Sequence, residues 1–199
     1  TDKGIALIEG TPTYYTNGES SGLGETAENA QIALLFDDLL PAGLGGGDRE
    51  QMLVAEAESQ GHSIQNRSYE FKYLDLVDVS NGNAWVSTNS EITIYWPLPE
   101  GTDESTKFEL LHFTGLHREY GQLYNEDELA QQIAGSEVVA VKVEITGFAV
   151  KFTLDGNAET GSFSPFALVW GEVQEPDPDP EPEPTPDPEP SDPGSSSGG

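Results

Sequence analysis

The sequence predicts a mostly β protein: a two-sheet β-sandwich, Ig-like or related, with two short inserted helices, followed by a disordered polyproline II tail. Three observations predict this class. Apolar and polar residues alternate in short runs within 1–171, Asn-Gly and Asp-Gly pairs separate such runs, and proline alternates with acidic residues in 172–199. A partly closed barrel is the alternative. We therefore expect a globular β-rich domain over 1–171 and an acidic, Pro-rich stalk over 172–199 with a Gly/Ser end.

The strands follow from alternation with a period of two, which places every second side chain on the same face. In 69–79 and 107–116 the alternation is interrupted by two consecutive apolar residues. This interruption predicts either a β-bulge or a strand that is buried on both faces. A last strand is predicted over 163–170, where Pro165 must lie at a sheet edge or at the strand start. Three other runs predict inward faces made of Ile92, Ile94 and Trp96, of Val139, Val141, Val143 and Ile145, and of Phe148, Val150, Phe152 and Leu154.

Turn chemistry supports hairpins between these strands. The pairs Asn17-Gly18, Asn81-Gly82 and Asp155-Gly156 follow apolar runs. Both residue types of such pairs tolerate positive φ angles, so we expect type I′ turns at these three places.

Capping patterns predict two helices, over 48–60 and 125–134. In the first helix, Asp48 is the predicted N-cap and Gly61 the predicted end. In the second helix, Asn125 is the predicted N-cap and Gly135 the predicted end. The apolar run 30–40 fits a buried strand or a helix. We favour the strand, because a proline and a glycine-rich loop follow at once.

The charge of the chain excludes several classes of function. It carries 36 acidic and 8 basic side chains, a net charge of −28. Residues 172–199 hold nine of the acids and no base, which leaves −19 on 1–171. Such a surface repels phosphate backbones and anionic membranes, so we expect no nucleic-acid partner. No apolar run approaches the ~20 residues of a membrane span, and without cysteine there is no disulfide or thiolate chemistry.

The tail is predicted to be extended. Proline fixes φ and removes the amide donor, so neither helix nor sheet forms where every second residue is proline. At ~3.1 Å per residue, Glu175–Pro193 would span roughly 60 Å. Gly194–Gly199 is a flexible end, either native low-complexity sequence or an expression scar. Since the chain opens at Thr1 without a signal peptide, we expect a mature or excised fragment.

Six motifs carry a resemblance: KYLDLVD, NGNAWV, YWP, FELLHF, LHRE and FSPFALVW, which begin at residues 72, 81, 95, 108, 116 and 163. Together they resemble a stalk-proximal β module repeated in large, adhesin-like cell-surface proteins of gut Firmicutes. The resemblance covers roughly half the chain and carries no catalytic residue. It implies a secreted, modular protein of a Gram-positive bacterium that is attached to the cell wall. A sorting signal of the LPxTG kind does not occur in these residues.

Candidate catalytic and metal-binding groups are few. Of the histidines His62, His112 and His117, the last two are five residues apart and would point to opposite faces of one strand. The spacing Gly-x-Ser-x-Gly occurs at 18–22 and at 194–198, but neither match lies between a predicted strand and a predicted helix, as a nucleophile elbow requires. We therefore expect no catalytic residue, no cofactor and no enzyme. A structural Ca²⁺ ion is kept as an alternative, because calcium prefers carboxylate oxygens. Its candidate ligands are Asp37, Asp38, Asp75, Asp78, Glu126, Asp127 and Glu128, which we otherwise interpret as solvated acids and caps.

Aromatic side chains give a more informative signal, because their faces offer large, rigid contact areas. Trp96 and Trp170 are assigned to the core. A ligand-facing role and an edge or core role are equally weighted for Tyr14, Tyr15, Tyr120 and Tyr124. A separate alternative concerns lysines on strands, since some Gram-positive adhesin and pilin domains join Lys to Asn or Asp by an intramolecular amide. The candidates are Lys72, Lys142 and Lys151.

These observations lead to one expected function. The chain is interpreted as a non-catalytic extracellular module of a wall-attached bacterial surface protein, which displays or spaces an adhesive surface on a stiff acidic stalk. Its partner would be a host or bacterial surface glycan or protein, and we expect a monomer. A carbohydrate-binding module or a component of a glycan-active enzyme is the first alternative. A pilin-like structural subunit is the second.

Overall fold

The computed structural model describes residues 4–16, 19–39, 49–116, 126–156 and 165–172. Within these ranges the protein is mostly β, as predicted, with two α-helices and a short 3₁₀ turn at Val79–Asn81. The helices are α1 (Arg49–Ser59) and α2 (Glu126–Ala134). The strands are β1 (Ile5–Ile8), β2 (Pro12–Thr16), β3 (Glu19–Glu25), β4 (Ile32–Asp37), β5 (Ser68–Asp78), β6 (Ala84–Thr88), β7 (Glu91–Pro97), β8 (Phe108–Phe113), β9 (Val138–Val141), β10 (Glu144–Ile145), β11 (Ala149–Asp155) and β12 (Phe166–Trp170).

The strands form two sheets, as expected of a sandwich. The small sheet has the order β1-β7-β11-β10. The large sheet has the order β3-β2-β6-β5-β12-β8-β9, and β4 is added through its pairing with β5. The long strand β5 therefore pairs with three strands, β4, β6 and β12. The ambiguous run 30–40 is thus a strand over Ile32–Asp37, which confirms the favoured prediction.

One hydrophobic core lies between the two sheets. The predicted inward residues of β7 and β11 belong to it, among them Ile94 and Phe152. The ring of Trp96 is fully buried, and its Nε1 donates to Oε1 of Glu70 on the large sheet at 2.9 Å. Phe36 of β4 meets the same indole edge to face, with 5.0 Å between ring centroids. Trp96 therefore links both sheets through packing and a hydrogen bond, whereas Trp170 is partly buried against this core.

A second core lies on the other face of the large sheet, where α1 and α2 cover it. Leu53 of α1 and Ile133 of α2 pack there with Phe71 of β5 and Leu111 of β8. The helices thus add a third layer to the sandwich. The middle strands of the large sheet face a core on each side. Their sequences are therefore apolar at consecutive positions and do not keep one alternation of apolar and polar residues. The expectation of strands buried on both faces is confirmed for β5 and β8.

Two predicted inward faces need correction. Residues 138–145 do not form one strand: β9 belongs to the large sheet and β10 to the small sheet. Val138 is buried toward the helices, and Val139 is 39% exposed. The other three predicted residues, Val141, Val143 and Ile145, are partly buried against the core between the sheets, as expected. Phe148 precedes β11 rather than opening it, and its side chain is 65% exposed. Alternation was correct for the remainder of β11, where Val150, Phe152 and Leu154 are buried.

The predicted turns also differ in detail. The β5–β6 hairpin exists, but its loop contains the 3₁₀ turn, and positive φ occurs at Gly82 and Asn83 rather than at Asn81 and Gly82. Gly156 does not turn the chain. It extends the β11 ladder, because its N–H donates to Ser90 O and its carbonyl accepts from Thr88 N. The pair Asn17-Gly18 lies outside the described residues.

The predicted strand and helix ends are mostly confirmed. Pro165 stands directly before β12, which is the strand start rather than a sheet edge. Gly61 ends α1 in the left-handed region at φ 89°, with His62 N donating to Ala57 O. The proposed caps Asp48 and Asn125 lie outside the described residues, as do residues 173–199 of the predicted stalk. In the described part of the chain, no helix has the length and apolar character needed to span a membrane.

Candidate binding face

The outer face of the small sheet exposes apolar side chains. Because Ile94 and Trp96 of β7 point into the core, Tyr95 points outward. The register places Ile5 of β1 directly opposite Tyr95, and Leu7 of β1 lies two residues further along the same face. Ile5 is 52% exposed and Leu7 is 53% exposed.

Phe148 completes this surface, which we name the apolar face: Ile5, Leu7, Tyr95 and Phe148. The phenyl ring of Phe148 stacks on the ring of Tyr95, with 5.9 Å between centroids and 15° between planes. Its backbone is fixed on two sides. Thr146 N donates to Ala149 O, and Leu98 N donates to Phe148 O at 3.2 Å. The exposed ring is therefore held in place by a hydrogen-bonded turn.

Polar side chains border the apolar face. Lys151 of β11 lies opposite Tyr95, and Glu144 of β10 lies opposite Lys151 in the same row. The Lys151 ammonium is 3.7 Å from Glu144 Oε2. Thr93 and Thr153 form the next row of the same outer face. A flat aromatic stack beside hydrogen-bonding groups suits the binding of a ring-shaped polar molecule through stacking and edge contacts.

Two of the tyrosines singled out in the sequence, Tyr14 and Tyr15, lie away from the apolar face. Tyr14 faces the core between the sheets and Tyr15 packs on Trp85, with 5.8 Å between ring centroids. Each is only 9% exposed, so neither offers much surface to a ligand in this conformation. Tyr120 and Tyr124 lie outside the described residues. Neither Tyr14 nor Tyr15 therefore belongs to the apolar face.

Tyr14 instead takes part in a buried polar contact. Its hydroxyl donates to Asp78 Oδ2 at 2.6 Å, and Ser80 Oγ donates to Asp78 Oδ1. The hydrogen bonds from Ser80 and Tyr14 lower the pKa of Asp78, since they stabilise the carboxylate. The bond to Asp78 also raises the pKa of Tyr14, and burial raises that of Tyr15. This arrangement stabilises the hairpin start and is not open to substrate.

The metal candidates whose side chains are described do not form a ligand cluster. In the part of the chain that the structure describes, no three His, Asp or Glu side chains are close enough to hold a metal ion. His112 stacks on Phe166 with 4.1 Å between centroids and is buried. His62 Nε2 lies 3.1 Å from Val138 O. His117 is outside the described residues.

The strand lysines have ionic or solvent surroundings. Lys72 Nζ is 2.6 Å from Asp38 Oδ1, and this carboxylate side chain is 83% exposed. Lys72 also lies over the Phe36 ring, 5.2 Å from its centroid. Lys142 lies between β9 and β10 rather than on a strand as predicted, and it is exposed to solvent. Because the Asp38 side chain is so exposed, the Lys72–Asp38 contact is described as a solvated ion pair.

Sequence comparison adds no relative to this picture: no protein-family model, curated protein or solved structure matches the chain. The apolar face is therefore interpreted from its own geometry. The sequence contained one signal for it, the Thr146-Gly147 pair, which shifts the start of β11 past Phe148. The exposed side of β1 could be recognised only from its pairing with β7.

Proposed function

We propose that this chain is a non-catalytic, extracellular module of a bacterial surface protein, and that the apolar face is its adhesive surface. The observation that carries the proposal is the Phe148–Tyr95 stack, in which a 65% exposed phenyl ring is fixed by backbone hydrogen bonds. A large apolar residue held in solvent contributes little to folding, whereas a contiguous exposed patch is typical of a binding surface.

The ligand class that best fits this face is a neutral glycan. Sugar rings present apolar C–H faces that stack on aromatic rings, and hydroxyl edges that bond to charged and hydroxyl side chains. The row beside the stack supplies such partners in Lys151 and Glu144. Anionic polysaccharides are disfavoured, because the whole chain carries a net charge of −28.

The predicted stalk supports the surface role. Its proline and acid alternation favours an extended chain, and an extended chain separates the module from whatever carries it. A sandwich on such a spacer needs no reaction centre to act as an adhesin. Wall attachment follows from the resemblance of the six motifs and is part of this proposal.

The proposal is tested by binding the complete chain to arrays of neutral and anionic glycans. We expect retention on neutral glycans. Phe148→Ala removes the exposed ring and is expected to weaken retention about fivefold, since one aromatic stacking contact contributes ~1 kcal/mol.

The control is Val139→Ala, which removes an exposed apolar side chain from the other sheet. It should bind like the unchanged chain. Equal binding by Phe148→Ala and the unchanged chain would remove the apolar face from the proposal. Binding to no glycan, with capture of a host surface protein that depends on Phe148, would replace the ligand class. Binding to neither would leave only the spacer role.

A further inference from the structure

Within the described ranges, one side of the sandwich leaves the core between the sheets incompletely covered. β1 is an edge strand of the small sheet, and among the strands of the described residues β4 pairs with β5 alone. Several inward side chains of these two strands pack against the core and are nevertheless only partly buried: Ala6, Ile8, Ile32, Leu34 and Phe36. A neighbouring strand would normally cover such side chains.

The space beside them is a groove of about 500 Å³. It is lined by Gly4, Ile5 and Ala6 on one side and by all six residues of β4 on the other. Successive strand residues point to opposite faces. A space bordered by all six therefore runs along the outer edge of β4 rather than over one of its faces. At one end, the backbone of Gly4 approaches the Phe36 ring so closely that a Cβ there would lie 2.8 Å from Cδ2.

We propose that this groove is a strand-addition site, in which an extended segment of another polypeptide pairs with the outer edge of β4. The edge of a strand presents backbone N–H and C=O groups that template a further strand. The apolar walls accept every second side chain of the added segment. Six residues of β4 extend about 20 Å, which is long enough to pair with a segment of about five residues.

The occupant is identified by its chemistry as an uncharged or basic segment in which apolar residues alternate with polar ones. The chain's own tail does not fit, since its alternating prolines lack the N–H groups that a ladder requires. A second copy of the chain is disfavoured by repulsion between two net charges of −28. The segment therefore comes from a different protein.

The test uses hydrogen exchange of the complete chain with a synthetic peptide. The probe is a short peptide in which valine and threonine alternate, with a lysine at each end. We expect it to slow amide exchange in 32–37. The same peptide with proline in place of its central valine should have no effect, because it cannot complete the ladder.

Two matched variants place the site. Leu35→Lys puts a charge on the proposed edge, at a residue outside the core between the sheets, and charged edge residues block strand addition. It is expected to abolish the protection of 32–37. Val139→Lys makes the same kind of change on β9, an end strand of the large sheet, and should leave the protection unchanged. Circular dichroism establishes that both variants fold.

Three results would overturn the proposal: no protection of 32–37 at saturating peptide, protection that Leu35→Lys retains, or protection at β9 instead. Slow exchange of 32–37 without peptide, together with a dimer in sedimentation, would assign the edge to a second copy and would also overturn it. The groove shares only Ile5 with the apolar face. A negative result in the peptide experiment therefore does not affect the glycan-binding proposal. A negative result in the glycan experiment likewise does not affect the strand-addition proposal.

Discussion

Gly156 shows how closely two backbone segments approach in the small sheet. Its carbonyl and amide bond to Thr88 and Ser90, and a Cβ at this position would collide with Thr88 Oγ1 and with the carbonyl oxygen of Ser90. The carbonyl oxygen belongs to the backbone and cannot move aside independently. Glycine is therefore required here by space, without any positive φ angle.

We predict that Gly156→Ala lowers the free energy of unfolding by about 1–3 kcal/mol, because a methyl group is forced into a filled site. Urea denaturation measures the change. Gly135→Ala is the control, since the nearest atom to a Cβ there, Gln132 O, is at an ordinary 3.5 Å. Equal stability of the two variants would contradict the prediction.

At the same scale, the sequence could not predict which tyrosines are exposed. Tyr14 and Tyr15 stand next to a predicted turn, which is compatible with either environment. Tyr14 is buried because Asp78 accepts its hydroxyl hydrogen bond, and the two residues are 64 positions apart. Such a pair depends on the β2–β6–β5 arrangement and not on local sequence.

Among the elements, the connection after α1 is held by one carboxylate. Glu58 Oε1 accepts from Ile64 N at 2.8 Å and from Gln65 N at 2.7 Å. These two backbone hydrogen bonds lower the pKa of Glu58. Ile64 is fully buried in the core beneath the helices, so the carboxylate helps to position a core residue.

We predict that Glu58→Ala destabilises the protein by about 1 kcal/mol near pH 7, a value reduced by the solvent exposure of the side chain. Because the pKa is lower in the folded state, the carboxylate stabilises the fold above its unfolded pKa. This contribution is lost as the pH falls through the folded pKa. Urea denaturation near pH 7 and near pH 3 measures the free energy of unfolding of Glu58→Ala and of the unchanged chain. The difference between the two should be smaller at the lower pH.

Glu91→Ala, which removes an exposed carboxylate from the start of β7, serves as the control for the loss of a surface charge. A difference for Glu58→Ala that stays constant from neutral to acid would mean that the ionised form is not what holds the connection.

Alternation predicted the elements well where one strand faces one core. Ile92, Ile94 and Trp96 are buried as expected, because a period of two translates directly into burial. Over 138–145 it correctly placed Val141, Val143 and Ile145 against the core, but it did not show that the chain leaves the large sheet for the small one within this run. The point at which a chain passes from one sheet to another depends on long-range strand pairing. Local periodicity therefore cannot predict it.

For the whole molecule, the sequence predicted the class of fold and missed its third layer and its candidate site. The helices were expected as insertions, but their apolar sides did not indicate that both cover the large sheet. The apolar face joins Ile5, Tyr95 and Phe148, which come together only when β1, β7 and the turn before β11 are paired. No local pattern connects three segments so far apart in sequence.

We predict that the sandwich does not depend on the tail. Removing residues 173–199 is expected to leave the melting temperature unchanged. Small-angle X-ray scattering should show the maximum dimension falling by tens of ångströms, up to the roughly 60 Å expected for the proline-rich segment. The untruncated chain in the same buffer is the reference. A drop of several degrees in melting temperature, or an unchanged maximum dimension, would mean that the tail folds against the body.

The place of β12 has a mechanical consequence. The strand lies in the middle of the large sheet, and all five of its residues pair with β5 on one side and with β8 on the other. Just beyond it, Arg67 Nε donates to Gly171 O, and Arg67 Nη1 contacts Glu109 Oε2 at 2.6 Å. Tension applied after Glu172 would run along β12 and load both ladders in shear. Every hydrogen bond would then have to break nearly at once, so we expect this end of the protein to withstand traction from a tether far better than an edge strand would.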